Sequence, residues 1–173
     1  MGWGEMIAMA LLAAAVAIIV WPREDVSSKP LVPEGTPLPP LMAEGWLNTE
    51  RAPSRDKLAE QVVVVDCWAT WCAPCRAAMP ELARLYDQYE PMGVVFIGFT
   101  SESESERDAV KNFVESVGGF DWPVGYGAGP TLEMLGIRYL PTLIVFNDGR
   151  AVWSSNSTDE LASVLDEQLA KSK

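Results

Sequence analysis

The first apolar run extends from Met6 to Trp21 without a charged residue. As a helix it would be roughly 24 Å long, against a bilayer hydrocarbon core of about 30 Å. Trp3 and Trp21 bracket it as interface anchors would. Its small residues, Ala13 to Ala15 and Ala17, sit in the middle, and Ile18-Ile19-Val20 close it, so the end lacks a cleavage-type pattern. Residues 1–21 are therefore expected to be an uncleaved membrane anchor, with a cleaved signal peptide as the alternative. Residues 22–40 carry Pro22, Pro30, Pro33, Pro37, Pro39 and Pro40 and read as an extended, semi-rigid tether. The body is expected over residues 41–173.

Within the body, Gln61 to Trp68 contains Val62-Val63-Val64-Val65, a β-branched run that suits a central strand covered on both faces. Ala73 to Tyr89 places Leu82, Leu85, Tyr86 and Tyr89 on one helical face. Val94 to Phe99 is a second buried strand. Ser103-Glu104-Ser105-Glu106 fits a capping box opening a helix to about Val117, where Gly118-Gly119 stops it. Thr131 to Leu135 predicts a short helix ending at Gly136. Thr142–Phe146 and Ala151–Ser154 flank Asn147-Asp148-Gly149, a hairpin signal. Ser157-Thr158-Asp159-Glu160 is a second candidate box, leading a last helix to about Ala170. The order strand, helix, strand, helix, hairpin, helix predicts an α/β domain: a mixed central sheet with helices on both faces.

Composition narrows the chemistry. The net charge of −11 over 173 residues repels phosphate backbones and argues against nucleic acid as a partner. The acidic run Ser101 to Glu106 is expected to be a solvated helix start. There is no histidine, which excludes Cys–His and Ser–His–Asp catalysis and imidazole-held metals. Three cysteines, Cys67, Cys72 and Cys75, are too few and too clustered for a disulfide framework and suggest one working pair and one bystander.

The pair is Cys72 and Cys75, in Trp71-Cys72-Ala73-Pro74-Cys75, between a buried strand and a helix. Two intervening residues in a first helical turn bring the sulfurs within bonding reach. The helix N-terminus carries partial positive charge and free N–H donors, so the Cys72 thiolate is stabilised there. Pro74 suits a first turn, where its missing N–H is no loss. A zinc site would need two further ligands, and only Cys67, inside a strand, is left. Neither a metal nor another cofactor is expected.

The segment Val65-Asp66-Cys67-Trp68-Ala69-Thr70-Trp71-Cys72-Ala73-Pro74-Cys75 resembles the thioredoxin active site, and Tyr139-Leu140-Pro141-Thr142 resembles that fold's cis-proline loop. Pro80 matches its helix-kinking proline. With the N-terminal apolar run, residues 41 to 170 resemble the anchored extracytoplasmic TlpA/ResA/DsbE group. The resemblance implies a thioredoxin-like fold and a thiol–disulfide oxidoreductase acting on protein disulfides, supplied by an electron donor. It implies that Cys72 attacks, Cys75 resolves, Asp66 is a buried proton acceptor for Cys75, and Pro141 is cis. It also implies that Leu140, with Pro141 and the aromatic Trp71, contacts substrate. The location implied is outside the cytoplasmic membrane (periplasmic), whereas Arg23, the first basic residue near the run, follows it and by charge count points the body inward. ResA-like cytochrome c maturation proteins often carry a glutamate where this chain has Ala78, so that specific role is not implied. Ala-Pro between the cysteines resembles the Gly-Pro of reductants. An oxidase or isomerase of the same fold, or a redox-sensing adaptor, are the alternatives. Cys67, where thioredoxins have a core aromatic, reads as a small buried apolar residue.

Overall fold

The computed structural model describes residues 30–171. The expected anchor, Trp3 and Trp21 with it, and residues 22–29 of the tether lie outside the described residues. Among the described residues no helix is long and apolar enough to cross a membrane.

The valine run does form the centre of the sheet. Strand β2 (Val63–Cys67) pairs in parallel with β3 (Val95–Phe99) and antiparallel with β5 (Thr142–Asn147). Outside these lie β1 (Gly45–Leu47) and β4 (Val124–Tyr126) on one side and β6 (Arg150–Ser155) on the other, giving the order β1-β4-β3-β2-β5-β6. Strands β1 and β4 were not legible in the sequence. Each is three residues long with a glycine in it, so neither shows an alternating pattern.

Every side chain of β2 is buried, and alternation divides them between two cores. Val62, Val64 and Trp68 face a core built from α2 (Ala73–Tyr89), α3 (Arg107–Ser116) and α5 (Leu161–Lys171), through Met79, Leu82, Phe113 and Leu165. Val63, Val65 and Cys67 face the other, with Leu58 of α1 (Arg55–Leu58), Leu135 just past α4 (Gly129–Met134), Val32 and Leu38. Helices thus cover both faces, as the β-branched run demands. The aromatic residues concentrate in the first core: Trp68 stacks on Phe113 at 4.5 Å between ring centroids, and Phe120 stacks on Trp122 at 3.9 Å. Gly98 makes room for this packing, since a Cβ there would sit 3.0 Å from Trp68 Nε1.

The hairpin forms as its turn residues dictate, with Asp148 at φ 49° and Gly149 at φ 67°. The first capping box is present: the Ser103 N–H donates to the Glu106 carboxylate at 3.0 Å. The second is replaced. Ser157 Oγ accepts instead from the Asp159 N–H at 3.2 Å, while Glu160 lies beside Trp153 Nε1.

Residues 30–40, expected as part of an extended, semi-rigid tether, are fixed to the body. Gly35 N–H donates to Ala151 O and Ala151 N–H to Thr36 O, both at 2.8 Å, and Leu38 N–H donates to Gly149 O. Ser154 Oγ bonds both the N–H and the carbonyl of Val32. Val32 and Leu38 are each 1% exposed. The prolines keep the segment extended, but β6 would otherwise be an open sheet edge, and this segment covers it. The apolar pair Val32 and Leu38 supplies the burial that a solvated tether would not need.

Candidate active site

Helix α2 begins at Ala73, one residue past Cys72, because Cys72 is its N-cap, with φ −83° and ψ 100°. Its sulfur accepts the Cys75 N–H at 3.1 Å, a contact that places a helix-terminal donor on the Cys72 sulfur. Pro74 occupies the first turn, as expected, and Pro80 lies inside the helix. Cys72 and Cys75 are joined as a disulfide with Cα atoms 5.3 Å apart. They are 3% and 1% exposed, so in this oxidised form both sulfurs are nearly covered.

Trp71 precedes them and is 77% exposed, whereas Trp68 is fully buried. The two tryptophans therefore separate by function: Trp68 packs the core and Trp71 is presented to solvent at the reactive end. Just before the neighbouring strand β5, the Leu140–Pro141 peptide bond is cis. Thr142 pairs with Cys67 across β5 and β2, which brings the Tyr139–Pro141 loop to the same end of the sheet as the Trp68–Cys72 turn. Thr142 Oγ1 donates to the Tyr139 carbonyl at 2.7 Å and steadies that loop. Leu140 packs at the border of both cores, and Tyr139 is exposed. The sequence therefore named residues that the fold does gather at one end.

Asp66 has the strand parity of Val64 and Trp68, so its side chain lies on the sheet face that carries α2 and the cysteine pair. It is 2% exposed, and neither carboxyl oxygen has a hydrogen-bond partner among the described residues. Burial raises its pKa from 3.8 to about 7. Such a group changes protonation within the range where thiols exchange. Cys67, on the opposite face, is fully buried and free of any disulfide. Burial, and then the neighbouring Asp66 charge, push its thiol well above the usual range, which disfavours the thiolate form there. Ala78 is partly buried against the first core.

Glu102 was missed. The acidic run was expected to be solvated, but Glu102 is 7% exposed and turns inward, accepting hydrogen bonds from Thr70 and Thr100. The run's composition is that of a surface segment. Only the parallel pairing of β2 and β3 puts the loop after one beside the loop after the other.

A family model described as Redoxin matches residues 33–169. The chain belongs to the Redoxin family. The match begins inside the proline-rich segment, close to Val32, which packs on the body of this Redoxin-family chain. Among curated relatives, the thiol-disulfide oxidoreductase ResA of Bacillus anthracis is 37% identical over 93 residues, 52% of this chain and 51% of the relative. The thioredoxin-like protein YneN of Bacillus subtilis is 35% identical over 71 residues, 40% of this chain and 41% of the relative. The chain thus spans about half the length of the curated relatives it matches. Among solved structures, a thiol-disulfide isomerase from Corynebacterium glutamicum superposes with a TM-score of 0.67 at 22% identity, over 78% of this chain and 97% of the other. The thioredoxin domain of a thiol-disulfide oxidoreductase from Bacteroides vulgatus gives 0.67 at 21% identity, over 79% and 97%. These likenesses establish a thioredoxin-like fold.

Proposed function

We propose that the chain is a thiol–disulfide oxidoreductase that reduces protein disulfides outside the cytoplasmic membrane, held there by residues 1–21. The observation that carries the activity is the Cys72–Cys75 pair at the start of α2, with a helix N–H on the Cys72 sulfur and an unpartnered Asp66 carboxyl on the same face. The similarity to ResA proteins supports it.

The Cys72 thiolate attacks one sulfur of a substrate disulfide. The other substrate sulfur leaves as a thiolate, and a mixed disulfide forms. Asp66, ionised near neutral pH, takes the Cys75 proton. The Cys75 thiolate then attacks the Cys72 sulfur, expels the second substrate thiolate and leaves the disulfide seen here. Two electrons have passed to substrate, and a dithiol donor must return them. An extended substrate segment lies against Trp71 and the Leu140–Pro141 loop, bonding to the Leu140 backbone as an added strand. The direction follows from Ala73-Pro74 between the cysteines, which resembles the reductant pattern. Ala78 stands where ResA-like cytochrome c maturation proteins often carry a glutamate, which argues against that specific role and leaves Asp66 as the acid–base group.

The test is the equilibrium reduction potential of the pair against glutathione or dithiothreitol, together with reduction of a protein disulfide by the pre-reduced chain. A potential near −270 mV with substrate reduction is expected, whereas one near −120 mV would reverse the direction of electron flow. Protease access to the segment after Trp21 in intact cells tests the location.

A further inference from the structure

The turn that delivers Cys72 is held at few points. Trp68 N–H donates to Phe99 O at 3.0 Å, which ends the strand pairing, and Cys72 N–H closes the turn on Ala69 O at 3.1 Å. Between them, Thr70 N–H donates to Glu102 Oε1 at 2.9 Å, and the Thr70 hydroxyl donates to the same oxygen. The Thr100 hydroxyl donates to Glu102 Oε2. A glutamate is seldom this buried unless its oxygens are satisfied, and here one backbone N–H and two hydroxyls satisfy them. Glu102 is itself fixed. Its carbonyl accepts the Gly127 N–H at 2.6 Å, and the Thr100 carbonyl accepts the Ala128 N–H at 2.9 Å. The carboxylate therefore ties the reactive turn to the end of β3, and the Glu102 and Thr100 carbonyls tie that segment to the β4–α4 connection.

We propose that Glu102 is the positioning residue of the Cys72 thiol: through Thr70 it holds the Ala69–Cys72 turn so that Cys72 meets the helix terminus and Cys75. This rests on the thiol–disulfide reading of the site. The effective concentration of one thiol against the other depends on how narrowly their relative position is held. The clamp contributes to that restriction from outside the cysteine loop. Hydrogen bonds to a charged acceptor are stronger than neutral ones, so losing this set loosens the turn measurably.

The test uses the full chain and no physiological substrate. The thiol–disulfide equilibrium of the pair with glutathione is measured at fixed pH, and amide hydrogen exchange is followed at Thr70. In Glu102→Ala the effective concentration of the pair is expected to fall about tenfold. Exchange at Thr70 rises about as much, while β2 and β3 amides keep their protection. Glu102→Gln retains an oxygen for Thr70 and its amide can donate to Thr100, so it is expected within about threefold of the unaltered chain. Thr70→Val removes one hydroxyl donor and keeps the N–H, with an expected fall of about threefold, and it reads the clamp should Glu102→Ala fail to fold. An unchanged glutathione equilibrium in a folded Glu102→Ala or Thr70→Val chain would overturn the proposal and leave Glu102 a purely structural residue. A chain that reduces no protein disulfide, yet shows the glutathione shift, would overturn the proposed function and leave the clamp standing.

Discussion

Replacing Asp66 by asparagine removes a carboxyl group whose burial raises its pKa from 3.8 to about 7. The raised value means that the folded chain holds this proton more tightly than the unfolded chain. Below pH 4 the group is protonated in both states and contributes no pH dependence. Between about pH 4 and pH 7 the unfolded state loses the proton first, so stability falls by about 1.4 kcal/mol per pH unit. Above pH 7 both states are ionised and the full penalty stands, about 4 kcal/mol for a shift of about three units. Asparagine is nearly isosteric and neutral at every pH, and it inherits the same shortage of hydrogen-bond partners. The stability difference between Asp66→Asn and the unaltered chain should therefore be near zero at pH 4 and should rise to about 4 kcal/mol in favour of the variant by pH 8. Guanidinium unfolding of the oxidised protein from pH 4 to 8 measures it, with the buried Trp68 and Trp122 as fluorescent reporters. Oxidation keeps Cys72 and Cys75 from titrating, and the surface carboxylates cancel in the difference. Two stability curves that stay parallel over this range would refute the reasoning, because they would mean that the Asp66 carboxylate is not desolvated.

The same substitution is expected to slow resolution of the Cys72 mixed disulfide near neutral pH, while equal rates from pH 6 to 9 would reject the proton-acceptor role. Cys75→Ala should accumulate a mixed disulfide at Cys72, seen as a mass adduct with a disulfide substrate, and Cys72→Ala should abolish turnover. Cys67→Ser buries a hydroxyl in an apolar core and should cost about 1–3 kcal/mol in denaturant unfolding without changing the reduction potential. A chain shortened to start at residue 41 loses the buried Val32 and Leu38 and the cover of β6. It should be less stable than one starting at residue 30 by about 3–6 kcal/mol, again by denaturant unfolding.

Local information was enough for the elements that carry the cysteines. A β-branched run needs cover on both faces, and a proline and two cysteines at a helix start define their own geometry within one turn. The Asp148-Gly149 turn is equally local, since both residues tolerate the positive φ it requires. Short strands β1 and β4 escaped notice because three residues give no period, and their pairing energy comes from neighbours far along the chain. The second capping box failed for a related reason: Glu160 lies next to Trp153 of the edge strand, a contact that helix-start residues alone do not disclose.

What the sequence determined by itself is the α/β class, the reactive pair and its place at a helix terminus, because each depends on residues within a turn or a strand of one another. The tertiary structure decided the rest. Alternation along β2 told that Asp66 and Cys67 face opposite ways, but only the packed helices and the sheet leave the Asp66 carboxyl without a partner among the described residues. The parallel register of β2 and β3 turned a glutamate from an acidic, surface-like run into a buried acceptor for the cysteine turn. The open edge of β6 turned proline-rich residues into a docked segment. In each case the deciding energy is desolvation or hydrogen bonding between residues distant in sequence, which composition and periodicity do not record.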